Sequence, residues 1–207
     1  MELFGILFIL FFSIILHEVS HGVVAAWNGD PTAKVMRRLT LNPLPHVDLL
    51  GTVFLPLLLF VTKAPFLFGW AKPVPFNPRY FRRARLGLFT VGLAGPAMNV
   101  ALAFFFALVL GFADPASALP PFLRYGISIN LMLAIFNMIP VPPLDGSRVV
   151  GAFFPASWRQ VLFALDRWGF FLLLILLSMG LLHKVLIPIY ELTESSSIFH
   201  ISFIKSD

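Results

Sequence analysis

Long apolar runs alternate along this chain with short basic or proline-rich stretches. The first run, Leu3 to Trp27, exceeds the ~20 residues that a helix needs to cross a bilayer. Trp27 suits a membrane interface, and Asn28 to Thr32 (NGDPT) supplies turn residues that end the helix. A basic linker, Ala33 to Asp48, follows. Leu49 to Trp70 is apolar again, but Gly51, Pro56, Lys63 and Pro65 interrupt it. A proline-rich basic stretch, Ala71 to Arg85, precedes a second clear span, Leu86 to Phe112. A short turn from Ala113 to Pro121 leads to a third, Phe122 to Ile139, which ends in NMIPVPPLDGSR, Asn137 to Arg148. The fourth runs from Trp168 to about Ile187. The pattern predicts an all-α polytopic membrane protein with about four transmembrane helices and a re-entrant or hairpin segment near 49–70. Residues 1–190 read as one integral-membrane domain. The tail, 191–207, carries no readable role, and no internal repeat is visible.

Composition strengthens this reading. Hydrophobic residues make up 58% of the 207, charged residues 12%, and mean hydropathy is +0.89. A soluble domain is roughly half apolar and a quarter charged. The formal charge of +5 sits beside the apolar runs, where it serves topology and lipid headgroups rather than nucleic acid. Cysteine is absent, which excludes disulfides and thiolate metal sites. The opening MELFGILFIL lacks a basic leader and a small-residue cleavage pattern, and does not read as a cleaved signal peptide.

The chemistry begins in IILHEVSHGVV, Ile14 to Val24. His17 and His21 are four residues apart, so a helix stacks them on one face where they can share a metal. Glu18 is placed to reach a water on that metal. In a soluble chain a bare HExxH is often accidental. In a span, each ionisable group costs on the order of 2.5–3.5 kcal/mol on insertion scales, so its presence points to function. With no cysteine, a His and carboxylate set is the strong option, and it suits zinc. A catalytic zinc needs a third protein ligand. Asp145 in PPLDG is the leading candidate, with His46 and Asp48 as competitors. Ser20 and Gly22 are small enough to let neighbouring helices approach.

HEVSH in an early span and NMIPVPPLDG after a later one resemble the site-2 protease family of intramembrane zinc metalloproteases. Asn137, Pro140, Pro143, Asp145 and Gly146 fill every position of that family's distal N-x-x-P-x-x-P-x-D-G pattern. AGPAMN, with Gly95, Pro96 and Asn99, is similar to the G-P-x-x-N element of its middle core helix. The resemblance covers roughly Ile14 to Arg148. It implies one Zn2+ held by His17, His21 and Asp145, with Glu18 as general base and Asn137 holding the substrate strand or stabilising the oxyanion. It also implies a transmembrane protein as substrate, in a prokaryotic inner membrane. No PDZ domain and no CBS pair stands in these residues, the HExxH helix comes first, and Leu49 to Trp70 is longer than the connection some members have. An inactive relative that only binds membrane segments is one rival reading. A metal transporter or sensor is another, though the duplicated broken helices of transporters are not seen.

A shared metal constrains topology. HExxH lies toward the exit of the first span and Asp145 past the exit of the third clear one. They share a side only if Leu49 to Trp70 does not cross. On that topology Lys34, Arg37, Arg38, Lys72, Arg79, Arg82, Arg83, Arg85, Arg148, Arg159 and Arg167 fall on one side, which the positive-inside rule makes cytoplasmic, with the N-terminus external. His17 lies about 15 Å below the interface at 1.5 Å per residue, so PVPPLDG is expected to dip inward as unwound chain. Asn137 is a candidate donor to its freed carbonyls. A helical substrate must unwind to expose a carbonyl. Leu50 to Pro56 and Lys72 to Phe76 are the candidates for an extended edge that receives it as a strand, with plain apolar packing as the alternative for both.

Overall fold

The computed structural model describes residues 2–62, 69–169 and 171. Helix α1 covers Glu2–Trp27, 26 residues and about 39 Å. The expected turn residues end it. Gly29 takes φ 104°, and the Gly29 and Asp30 N–H groups donate to the Ala26 and Ala25 carbonyls, each at 3.0 Å. A short α2, Thr32–Val35, and a 3-10 turn, Leu44–His46, follow.

The interrupted apolar segment is a hairpin. Asp48 caps it by accepting from Leu50 N and Gly51 N, and the chain then runs as a π-helix over Leu49–Phe54 and as α3 over Leu55–Val61. Trp70 comes back to where the segment began. Its N–H donates to Gly51 O at 3.1 Å, and Thr52 Oγ1 donates to Trp70 O at 2.8 Å. A segment whose two ends touch does not carry the chain across a membrane. Lys63 and Pro65 lie outside the described residues. One expectation is overturned: Leu50 to Pro56 is helical and offers no extended edge. Short apolar runs carry no periodicity that separates strand from helix.

Residues 71–77 form no helix or strand and lead through a 3-10 turn, Pro78–Tyr80, into α4, Ala84–Phe112. The Arg82 N–H donates to Asn28 O at 2.9 Å, so α1 leaves and α4 enters at the same side. Helix α5 spans Leu119–Asn137. It starts earlier than expected because Pro120 and Pro121 sit in its first turn, where a missing N–H costs nothing. Then come α6, Asp145–Gly151, α7, Ala156–Leu165, and a 3-10 turn, Asp166–Trp168. Helix α4 is central and packs against α1, α5 and α6.

Among the described residues three helices are long and apolar enough to cross a membrane: Phe4–Trp27, Ala84–Phe112 and Leu119–Asn137. Two crossings therefore separate the exits of α1 and α5, and both exits share a side. The expected fourth span, Trp168 to about Ile187, and the tail lie outside the described residues except for the span's first few. An apolar core of Ala25, Phe81, Leu88, Val91 and Ala152 gathers near the Trp27 end, with Val24, Phe76 and Phe89 against it.

Candidate metal centre

His17 and His21 sit one turn apart on α1, both buried. Their Nε2 atoms are 3.0 Å from each other. Asp145, in the first turn of α6, brings Oδ2 to 3.1 Å from His17 Nε2 and 3.2 Å from His21 Nε2. That buried Oδ2 nevertheless has no partner with hydrogen-bond geometry among the described residues.

The outer face of each ring is committed. His21 Nδ1 lies 2.7 Å from the Val91 carbonyl, which can only accept, so Nδ1 carries the proton and the neutral ring's Nε2 a lone pair. His17 Nδ1 lies 2.6 Å from Asn99 Oδ1. Two inward lone pairs and a carboxylate oxygen within about 3 Å repel one another unless a cation lies between them. Ligands at about 2.0–2.1 Å on a tetrahedral ion stand about 3.3 Å apart, close to what is seen. The donor set fits a divalent metal.

The fold delivers Asp145 by a tight reversal. The chain leaves α5 through Met138, and Leu144 N donates to Val141 O at 2.9 Å. Arg148 Nη1 donates to the Pro143 carbonyl at 2.8 Å and its Nη2 to Asp166 Oδ2 at 3.2 Å. Gly146 lies directly on the Met138 backbone, where a Cβ would overlap the carbonyl, which explains the glycine after the aspartate. Gly95 does the same for α4, since a Cβ there would run into both imidazoles. Pro96 follows on the buried face of α4. Gly22 faces Leu39, Val74 and Ala33, and Ser20 Oγ donates to His17 O at 2.6 Å.

Glu18 is half-buried, and its Oε2 accepts the Val74 N–H at 2.8 Å. The segment around Val74 is pinned from several sides. Lys72 N donates to His46 O at 2.8 Å, Arg38 Nη2 to Lys72 O at 2.8 Å, and Asn77 N to Asp30 Oδ2 at 2.6 Å. Lys72 to Phe76 is thus held in place outside any helix or strand. Two of its N–H groups are used and two positions are prolines, so it covers Glu18 and offers little as an edge for a strand.

The competitors for the third ligand have other work. His46 is fully buried with Nε2 against Thr40 O at 2.9 Å, and Asp48 caps the hairpin. Asn137 Nδ2 donates to Leu133 O in its own helix at 2.9 Å. Among the described residues it donates to neither a neighbouring helix nor a proline carbonyl. Arg148, whose long side chain reaches back, takes the second task. Sequence reasoning passed over Ser13, Asn130 and the Val74 N–H. The first two are polar residues inside apolar spans, which is itself a signal. A backbone N–H leaves none.

The profile of Peptidase family M50 matches residues 113–180. The candidate zinc metalloprotease YwhC of Bacillus subtilis (strain 168) is 38% identical over 196 residues, 90% of this chain and 86% of the relative. The candidate zinc metalloprotease Rip2 of Mycolicibacterium smegmatis is 28% identical over 177 residues, covering 83% of this chain and 66% of its own length. The zinc metalloprotease MJ0392 of Methanocaldococcus jannaschii is 28% identical over 149 residues, 72% of this chain and 34% of the relative. No solved structure matches. With a buried His17, His21 and Asp145 cluster between membrane-spanning helices, and a near full-length relative of that name, the chain belongs to the M50 zinc metalloproteases, the site-2 protease family.

Proposed function

We propose that the chain holds one Zn2+ through His17 Nε2, His21 Nε2 and Asp145 Oδ2, and cleaves peptide bonds in transmembrane segments of other proteins. The convergence of these three ligand atoms within 4.8 Å of one another carries the reading. A zinc bound there would lower the pKa of its water and polarise the scissile carbonyl. Glu18 takes the proton of the attacking water and passes it to the leaving nitrogen as the C–N bond breaks. The Val74 N–H holds Oε2, which leaves Oε1 for the proton. Asn137, half-buried at the end of α5, is the group we assign to the unwound substrate backbone.

Lys34, Arg37, Arg38, Lys72, Arg79, Arg82, Arg83 and Arg85 lie on the Trp27 side, which supports a cytoplasmic site and an external N-terminus in a prokaryotic inner membrane. The test is purification with zinc, metal analysis, and cleavage of a single-span substrate. Glu18→Gln should keep zinc and lose cleavage by about 10²–10⁴-fold, while Asp145→Asn should lose both. Undiminished cleavage by Glu18→Gln would sink the assignment of the base. A zinc-loaded wild type that cuts nothing across a broad panel of single-span substrates would favour a binding-only relative.

A further inference from the structure

Behind His17 runs a closed chain of hydrogen bonds that joins three helices. Asn99 on α4 faces His17 Nδ1 with Oδ1 and donates through Nδ2 to Asn130 Oδ1 at 2.9 Å. Asn130 on α5 donates through Nδ2 to Ser13 Oγ on α1 at 2.9 Å and to the Gly126 carbonyl at 2.8 Å. Ser13, Asn99 and Asn130 are all buried, the two asparagines completely. Nothing in the mechanism above uses Asn130 or Ser13.

The chain has a direction, and one atom sets it. A side-chain amide has one donor end and one acceptor end, and which end faces a neighbour is decided by what that neighbour can do. The Gly126 carbonyl can only accept, so Asn130 must turn its Nδ2 toward it. That leaves Asn130 Oδ1 facing Asn99, which must answer with its own Nδ2. Asn99 Oδ1 is then the atom left for His17, and an oxygen acceptor requires a proton on Nδ1. The neutral ring's lone pair is thereby placed on Nε2, the atom that faces His21 and Asp145. His21 needs no such relay, because the Val91 carbonyl meets its Nδ1 directly. The two histidines receive the same instruction, one from an adjacent carbonyl and one from a carbonyl two side chains away.

We propose that Asn130 is a positioning residue that acts through Asn99 to hold His17 as the Nδ1–H tautomer, so that the α5 backbone at Gly126 orients a metal ligand on α1. This rests on the metal reading above. Replacing Asn130 with Leu keeps the heavy-atom branching but releases the Asn99 amide, which can then flip and present Nδ2 to the ring. The ring then carries its proton on Nε2 and loses its metal-facing lone pair.

The test uses the full chain in detergent with 15N-labelled histidine. Metal-free protein is observed by NMR at a pH where the rings are neutral, and zinc affinity is measured separately by chelator competition. In the wild type, His17 and His21 should both show the Nδ1–H pattern. In Asn130→Leu, His17 should shift toward Nε2–H while His21 stays, and zinc affinity should fall about 10–100-fold, the usual range for loss of a group that orients a metal ligand. Adding Asn99→Asp to Asn130→Leu should restore both readouts, because a carboxylate only accepts and dictates Nδ1–H unaided. A rescued affinity separates orientation from mere packing. A folded Asn130→Leu with unchanged His17 tautomer and affinity overturns the proposal. So does an Nε2–H His17 in the metal-free wild type, a measurement that needs no variant to fold. If the wild type holds no zinc while His17 is Nδ1–H and responds to Asn130→Leu, the metal reading fails and the relay stands.

Discussion

At the end of the α1–α4 pair away from Trp27, Phe4 and Phe112 are 78% and 85% exposed, with Phe8, Phe104 and Phe105 also outward. At the other end the same two helices bury Ser13, His17, Ser20 and His21 against Gly92, Gly95 and Asn99. The usual order of a soluble protein is reversed. Large apolar side chains face outward, where lipid is their solvent, and small or polar ones face inward. Lipid gives no drive for apolar groups to leave it, so helices close on each other through small residues and hydrogen bonds. Polarity placed inside must then be partnered, as Nδ1 of each imidazole is here by Asn99 Oδ1 and the Val91 carbonyl.

One pair of substitutions on α4 tests that contrast at its strongest. Gly95→Ala puts a methyl into the space of both imidazoles, and the backbone cannot retreat because α4 is packed against α1, α5 and α6. We expect zinc occupancy to collapse and cleavage to fall at least ~10²-fold, the cost of displacing reacting groups by about 1 Å. Gly111→Ala, near the far end of the same helix, meets nothing within 4 Å and should leave metal content and cleavage unchanged. Metal analysis and the single-span cleavage assay read both. Equal loss in the two variants would mean that backbone flexibility, not the close approach, is what the glycines serve.

A smaller effect isolates Glu18 from the metal. Val74→Pro removes the N–H that holds Oε2, and both neighbours are already proline. A hydrogen bond to a charged group contributes roughly 1.5–3 kcal/mol, so misorienting the carboxylate should lower kcat by about tenfold or somewhat more. Zinc affinity should not change. Val74→Ala keeps the N–H while trimming a buried side chain, and should retain most of the rate. If the two variants lose rate equally, packing of Val74 against Gly22 is the cause.

What could be seen before the structure, and what could not, divides by where the information sits. His17, Glu18, His21 and Asp145 carry their chemistry in their own side chains, and ionisable groups in apolar runs are conspicuous. The parity of spans also forced the hairpin at 49–70, which the contact between Trp70 and Gly51 bears out. The partners were harder. Asn99 stood in a recognisable motif, but its bond to His17 depends on the rotation of α4 about its own axis. The Val91 carbonyl and the Val74 N–H are backbone atoms and have no letter of their own. Helix α6, at seven residues, is too short to show a period. Leu50 to Pro56 is helical rather than extended, and seven residues carry too little period to tell the two apart.

The smallest prediction extends the contrast to a polar pair beyond the crossing helices. Asp166, after α7, is half-buried and 3.2 Å from Arg148 Nη2. Burial pushes its carboxyl above the ordinary value of 3.8, and the Arg148 guanidinium pulls against that without cancelling it. A carboxyl whose folded pKa is raised favours the fold fully below its unfolded pKa. That contribution is lost as pH climbs through the folded value. Asp166→Asn is nearly isosteric and stays neutral. Its thermal midpoint relative to wild type should therefore rise modestly from pH 4 to pH 7. Protonation of the metal centre at the acid end affects both proteins alike and cancels in the difference. A difference that falls with pH instead would show that the ion pair outweighs burial, and that a polar group here, unlike Asn99 beside His17, is held by charge rather than by hydrogen bonds between uncharged groups.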